Sequence, residues 1–176
     1  MTANRESPPG DLALDIVPLR DDADAEAAAA LMSGSEPWIT LGRDYASALR
    51  VMRQEGQEAY VVLDRNGAVV GLLLLMMQGA LVGYIRSIAL RPEWRSRGAG
   101  RALMAFAERR IHRESPNVFL LVSSFNPRAR AFYERLGFTA IGELPDFMLR
   151  GHSECLMRKS LGPVVGFVPP EAAPEG

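Results

Sequence analysis

The chain has 176 residues, of which 48% are hydrophobic, and its formal net charge is -1. This length and composition suit one globular domain, and the near-neutral charge gives no basic field that would favour nucleic acid. One cysteine and two histidines exclude an internal disulfide framework and argue against a metal site. No apolar run resembles a signal peptide or is long enough to span a bilayer, so we expect a cytoplasmic protein without membrane contact.

The first half of the chain predicts two helices followed by an antiparallel meander. Residues 1–10 are polar and contain two prolines, which predicts a disordered tail. An Asn-Gly pair at 66–67 predicts a hairpin turn through positive φ angles. Helices are predicted from apolar spacing at 23–32 and 41–54, and strands at 12–19, 58–63, 68–77 and 81–90.

In the second half the pattern changes to strand, helix and strand, at 81–90, 99–113 and 117–123. Two strands joined through a helix are expected to lie parallel. Asn126 and Pro127 are suited to begin a second helix, which Gly137 would end. Strands are expected at 138–143 and 153–160, with 144–151 irregular. Proline-rich residues 162–176 predict a second disordered tail, which leaves 11–161 as one domain.

The segment from Arg95 to Arg101 joins a predicted strand to a predicted helix and contains two glycines and three arginines. Small residues let a ligand approach the backbone, and the first N–H groups of a helix are unpaired and electropositive. The segment therefore predicts a cradle for phosphate. It lacks the Gly-Lys-Ser/Thr of a P-loop and, with Leu103, the third glycine of a dinucleotide fingerprint. By itself it also fits a plain glycine-rich turn.

Three motifs in order carry a resemblance to a known family. They are Arg95-x-x-Gly98-x-Gly100, an asparagine (Asn126) after the following strand, and the segment from Ala131 to Phe138 with its Tyr-x-x-x-Gly-Phe pattern. Together they resemble the GNAT superfamily of N-acetyltransferases, and the resemblance covers residues 12–161. It implies an α/β, or α+β-like, fold with a mixed sheet. Antiparallel N-terminal strands would precede a βαβ unit whose parallel strands splay apart.

The resemblance also implies acetyl-CoA as co-substrate, without a metal. Tyr133 would be the general acid that protonates the leaving thiolate, and Asn126 would bond the pantetheine or the CoA. The remaining residues expected to bind the cofactor are Ile88, Ala89 and Leu90 along the pantetheine, and Arg95, Ser96, Arg97, Gly98, Ala99, Gly100 and Arg101 around the pyrophosphate.

The general base is less clear. Members of the family that acetylate ribosomal proteins carry a glutamate five residues before the asparagine, where this chain has Leu121. Glu143, Asp146 and Glu36 are candidate replacements, and a water chain without a dedicated base is another. Cys155 is expected to be a small buried hydrophobe, so we expect direct transfer in a ternary complex.

These features predict transfer of acetyl from acetyl-CoA to a primary amine on a small molecule or a peptide N-terminus. Protein N-terminal or lysine acetylation is an alternative, and so is a non-catalytic domain that senses acyl-CoA. Trp38 fits core packing or the floor of an acceptor pocket. The sequence leaves open which amine is the acceptor and whether two copies form a homodimer.

Overall fold

A seven-stranded sheet organises the computed structural model, which describes residues 14–170. The strand order is β1-β2-β3-β4-β5-β7-β6. Residues 162–170 contain no helix or strand and are largely exposed, while the predicted tail 1–10 and residues 171–176 lie outside the described chain. The strands are β1 (Asp15–Pro18), β2 (Glu58–Leu63), β3 (Val69–Met76), β4 (Tyr84–Leu90), β5 (Asn117–Ser123), β6 (Thr139–Pro145) and β7 (Ser153–Ser160).

The first four strands form the predicted antiparallel meander. The β2–β3 hairpin is closed by the Gly67 N–H, which donates to the Asp64 carbonyl at 2.9 Å. Only Gly67 of the Asn-Gly pair has a positive φ, of 77°, so the expectation of positive φ for both residues is wrong. The Asp64 carboxylate, accepting from the Asn66 N–H at 2.9 Å, holds the turn instead.

A β-bulge interrupts the pairing of β3 with β4. Leu74 pairs with Ser87, whereas the next residue, Leu75, pairs with Ile85. Arg86 is therefore the extra residue on β4, and a bulge re-aims the side chain at its position.

Four helices cover the two faces of the sheet, and each of three begins at a capping side chain. Asp21, Asp44 and Asn126 accept from backbone N–H groups at 2.9, 2.8 and 3.2 Å, which satisfies otherwise unpaired donors. The predicted helix 41–54 is too long, because Asp44 caps it and Gly42 before it has φ 65°. The helices are α1 (Asp22–Ser33), α2 (Tyr45–Met52), α3 (Ala99–Ile111) and α4 (Pro127–Arg135).

The hydrophobic core has two layers, one on each face of the sheet. Helices α1 and α2 pack with Leu72 and Leu74 on one face, and α3 and α4 pack with Leu73 and Leu75 on the other. Continuous burial of β3 explains its unbroken apolar sequence. Strand β6 reaches Pro145, so the expectation that 144–151 is wholly irregular is wrong for its first two residues.

Candidate active site

The parallel strands β4 and β5 pair for only two residues. Tyr84 lies opposite Phe119 and Ile85 opposite Leu120, and no further register connects the two strands. From Arg86 onward the strands separate, so the predicted splay is confirmed. Backbone groups along the gap are left without a partner strand, so side chains, water or a ligand must supply their hydrogen bonds.

Gly83 closes the narrow end of this gap. Its carbonyl accepts from the Phe119 N–H at 2.9 Å, and its φ of 89° is in the left-handed region. A Cβ at this position would lie 2.3 Å from the Asn117 carbonyl oxygen. Only glycine therefore fits where the two strands come together.

The gap opens into a cavity of about 680 Å³ that runs between the two strands. Two predicted cofactor residues do not line this cavity: Ala99 is 1% exposed within the core, and Arg97 is exposed on the outer surface. The predicted residues that do line it are Ile88, Ala89, Leu90, Arg95, Ser96, Gly98, Gly100, Arg101, Asn126 and Tyr133.

The arginine- and glycine-rich loop is held at the wide end of the gap. Gly98 is the N-cap of α3 and has φ 89°, so a side chain there would be strained. The Arg95 Nε donates to the Leu90 carbonyl at 2.9 Å, and the Arg128 guanidinium donates to the Ser96 hydroxyl at 3.3 Å. These contacts fix the loop to β4 and α4, with the first N–H groups of α3 beside the cavity.

Gly100 has a packing role that the sequence did not indicate. A Cβ on it would lie 3.3 Å from the Phe132 ring of α4. Its small size therefore lets α3 and α4 approach each other where both border the cavity.

Asn126 caps α4, as expected, and it also lines the cavity. Its side-chain oxygen accepts from the Ala129 N–H at 3.2 Å and caps α4. Its amide NH₂ donates to no residue within 14–170 and lines the cavity. The cap orients the amide, which leaves two donors for a ligand.

Tyr133 lies on the inner face of α4 and is 9% exposed. Its ring packs against Phe132 and Phe138, with centroids 5.4 and 5.9 Å away. Its hydroxyl makes no hydrogen bond within residues 14–170. Every fully buried polar side-chain atom of those residues has a hydrogen-bond partner. The Tyr133 hydroxyl is therefore not fully buried, and it is open to the cavity. Burial raises the pKa of Tyr133 to about 12, which keeps the phenol protonated.

The structure brings in a carboxylate that sequence reasoning did not select. Glu154 lines the cavity and is 4% exposed. On β7 its neighbour Cys155 enters the core, so Glu154 points to the opposite face. Burial raises the pKa of Glu154, an effect that Ser123 and then His152 partly offset.

Glu154 is also close to the position where the sequence lacked a carboxylate. It lies directly opposite Ser123, and Leu121 lies opposite Leu156. Glu154 and Leu121 are thus diagonal neighbours on one face of two adjacent strands, within reach of a long side chain. The alternation of β7 gives the face of Glu154, but its pairing with β5 is not visible in the sequence.

Of the bases expected from sequence, only Glu36 lines the cavity. The Glu143 carboxylate accepts from the Ser153 hydroxyl at 2.9 Å and contacts Arg130 at 3.5 Å. The Asp146 carboxylate accepts from the Gly151 N–H at 2.6 Å. Both therefore organise the β6–β7 connection.

Away from the arginine- and glycine-rich loop, the cavity combines apolar surface with the exposed Glu36 carboxylate and one cation. Trp38 is 8% exposed and belongs to the core, as one of its two interpretations predicted, and it also lines the cavity. Phe147 and Met148, exposed by 57% and 41%, border it from the β6–β7 connection. Arg86 is the cation.

Two features are absent from residues 14–170. No group of three or more metal-binding side chains comes together there. None of the helices has the length and apolar character needed to cross a bilayer.

The mixed sheet with splayed parallel strands is the fold expected of an acetyltransferase, and comparison with known proteins agrees. Residues 25–138 match the model of the acetyltransferase (GNAT) family, so the chain belongs to that family and is an N-acetyltransferase.

Individual relatives share the fold at low identity. An uncharacterised N-acetyltransferase from Chlorobaculum tepidum is 28% identical over 140 residues, covering 77% of this chain and 84% of the relative. A GNAT-family protein from Desulfovibrio desulfuricans superposes with a TM-score of 0.70 at 20% identity, over 85% of this chain and all of that chain. An aminoglycoside 6'-N-acetyltransferase complexed with coenzyme A gives 0.68 at 17% identity, over 85% and 98%.

Proposed function

We propose that the protein transfers acetyl from acetyl-CoA to a primary amine of a small molecule or a peptide N-terminus. The observation that carries the proposal is the open gap between β4 and β5. It has a loop suited to phosphate at its wide end and two buried ionisable side chains along its wall. The structural likeness to an aminoglycoside acetyltransferase supports a small-molecule amine.

The pantetheine arm of acetyl-CoA would lie in the gap and pair with β4 along Ile88, Ala89 and Leu90, as an added strand does. Its pyrophosphate would bind the first N–H groups of α3, with Arg95 and Arg101 adding charge. The Asn126 amide would bond the pantetheine.

Leu90 is suited to stabilise the oxyanion. The Arg91 N–H donates to the Val70 carbonyl of β3 at 2.8 Å. Since N–H groups alternate sides along a strand, the Leu90 N–H faces the gap. A backbone donor so fixed would stabilise the tetrahedral intermediate.

The amine nitrogen would attack the thioester carbon in a ternary complex, forming the C–N bond before the C–S bond breaks. Glu154 would accept the proton that the amine loses, directly or through a water. Its raised pKa makes it a stronger base than an ordinary glutamate. Tyr133 would donate to the departing thiolate. Because its pKa is about 12 against roughly 8.5 for a thiol, full transfer is uphill by about 5 kcal/mol. A hydrogen bond that tightens as the C–S bond breaks is the role that fits.

The test is thiol release from acetyl-CoA with a panel of amines and short peptides. We expect release that depends on an amine. Tight CoA binding without release on any acceptor would instead indicate a sensor. Gly98→Trp should abolish CoA binding, and Gly98→Ala, which carries the same φ strain with little bulk, should retain more of it. Unchanged binding by the Trp variant would refute the cradle.

A further inference from the structure

We propose that the acceptor amine carries a carboxylate and that Arg86 binds this carboxylate, which makes amino acids and their derivatives the substrate class. This inference rests on the proposed acetyl transfer and adds the identity of the acceptor. It depends on the position, the hydrogen bonds and the charge surroundings of Arg86.

The position of Arg86 is set by the bulge in β4. An extra residue at this point turns its side chain toward the α1–α2 face. There Arg86 Nη1 donates to the Gln54 and Gln57 side-chain oxygens at 2.7 and 2.9 Å. The Gln57 amide in turn donates to the Val51 carbonyl at 2.6 Å. The guanidinium is thus fixed before any ligand binds.

Only one nitrogen of the guanidinium is engaged. Nε and Nη2 of Arg86 bond to nothing within residues 14–170. Their N–H groups form the parallel pair of donors that binds a carboxylate with two hydrogen bonds. Arg86 lines the cavity, so these donors are available to an acceptor molecule there.

The charge of Arg86 also lacks a counter-ion within residues 14–170, since the two side chains that bond to it are neutral glutamines. Burial, followed by the nearby positive charge of Arg43, lowers the pKa of Arg86. The positive charges of Arg86 and Arg43 repel each other, and partial burial without a neighbouring carboxylate adds a desolvation cost. A bound anion would reduce both costs.

The opposite charge is present in the same cavity, because Glu154 lines it together with Arg86. Burial raises the pKa of Tyr84 first, Glu154 raises it further, and Arg86 lowers it. Glu154 and Arg86 therefore both lie near Tyr84. An amino acid has the matching pair, an amine to face Glu154 and a carboxylate to face Arg86. A polyamine would instead place positive charge against Arg86 and Arg43.

Apart from the exposed Glu36 carboxylate, the remaining lining of this end suits an apolar side chain, because Trp38, Leu41, Phe147 and Met148 border it. The test therefore uses amines with apolar side chains, in sets whose members differ in the carboxylate. L-phenylalanine is compared with its amide and with phenethylamine, and L-methionine with 3-(methylthio)propylamine. Spermidine represents polycations. Thiol release from acetyl-CoA gives kcat/KM for each amine.

We expect kcat/KM to be at least tenfold higher for each amino acid than for its partner without the carboxylate. Arg86→Gln should raise KM and lower kcat/KM about a hundredfold for the amino acids, with much smaller changes for the partners. Arg86→Glu should reverse the preference. The control Arg109→Gln, on the exposed side of α3, should change neither. CoA binding and melting temperature report whether each variant folds.

Equal kcat/KM for amino acids and their partners would overturn the inference while leaving acetyl transfer intact. An equal loss on both sets in Arg86→Gln would do the same, since it would assign Arg86 a structural role. Release with none of the amines would count against the proposed function and, with it, this inference.

Discussion

Burial acts on two ionisable side chains of the cavity with opposite chemical consequences. It raises the pKa of Tyr133 to about 12 and also raises that of Glu154. A phenol with a raised pKa holds its proton and acts as a donor, whereas a carboxylate with a raised pKa takes a proton more readily. The proposed acetyl transfer uses one group of each kind.

Replacing the tyrosine tests the donor. Tyr133→Phe keeps the ring packing against Phe132 and Phe138 but removes the hydroxyl, so we expect kcat to fall by about 10²-fold with CoA affinity retained. Steady-state rates and calorimetric CoA binding measure the two quantities. A rate equal to that of the unaltered protein would remove Tyr133 from the mechanism.

Replacing the glutamate tests the base. Glu154→Gln should lower kcat/KM by about 10²-fold and should remove the acid limb of the pH–rate profile, which reflects protonation of the carboxylate. Glu36→Gln serves as the comparison, because Glu36 lines the same cavity but is exposed. If Glu36→Gln removes the acid limb and Glu154→Gln does not, the base is Glu36.

The same substitution should stabilise the protein at neutral pH. The folded-state pKa of Glu154 is raised, so its contribution to stability is fully present below the pKa of the unfolded chain. That contribution is lost as pH rises through the folded-state pKa. At pH 8 the buried charge is a cost that glutamine lacks, whereas at pH 4 both side chains are neutral. Melting temperatures should therefore differ at pH 8 and converge at pH 4.

At the scale of elements, β4 depends on the glycine that precedes it. Gly83→Ala would put a Cβ 2.3 Å from the Asn117 carbonyl oxygen in addition to the strain at φ 89°. We expect a loss of about 2 kcal/mol or more in the free energy of unfolding. Gly79→Ala has almost the same φ, of 91°, but nothing within 4 Å. Denaturant titrations measure the free energy of unfolding of both variants and so separate the effect of crowding from that of φ strain. Equal losses of stability in the two variants would show that crowding at Gly83 contributes nothing.

At the start of helix α4, the two roles proposed for Asn126, helix capping and ligand binding, can be tested separately. Asn126→Ala should cost about 1 kcal/mol of stability because the cap is lost, and should also weaken CoA binding. Asn126→Ser should restore most of the stability, since a hydroxyl also caps a helix, but not the binding. If the serine variant binds CoA normally, the amide has no part in holding the cofactor.

At the scale of the whole molecule, CoA should stabilise the fold. The gap between β4 and β5 leaves backbone groups unpaired, and a ligand that binds only the folded state adds stability by mass action. At a hundred times its Kd the gain is about 2.7 kcal/mol, which for a chain of this size raises the melting temperature by roughly 5–10 °C. Gly98→Trp should show no such rise. If CoA does not raise the melting temperature of the unaltered protein, that result would count against the cofactor site.

Much of the secondary structure followed from local sequence. Strands β2, β5 and β7 occur at the predicted residues, because their turns and flanking polar residues mark them. Helix α2 was misplaced at its start, since the apolar spacing that begins at Leu41 continues through a turn before the Asp44 cap. Apolar periodicity indicates that one face of a segment is buried. A turn that packs against the core also has a buried face, so its apolar spacing resembles that of a helix.

The sequence by itself determined the family, the loop before α3 and the motif residues Asn126 and Tyr133, because these are local patterns in fixed order. Only the tertiary structure decided what lies at the acceptor end. Glu154 and Arg86 lie on strands far apart in sequence, and the fold brings both to the same cavity. The pairing of β7 with β5 and the bulge in β4 arise from long-range contacts, and local sequence does not encode them.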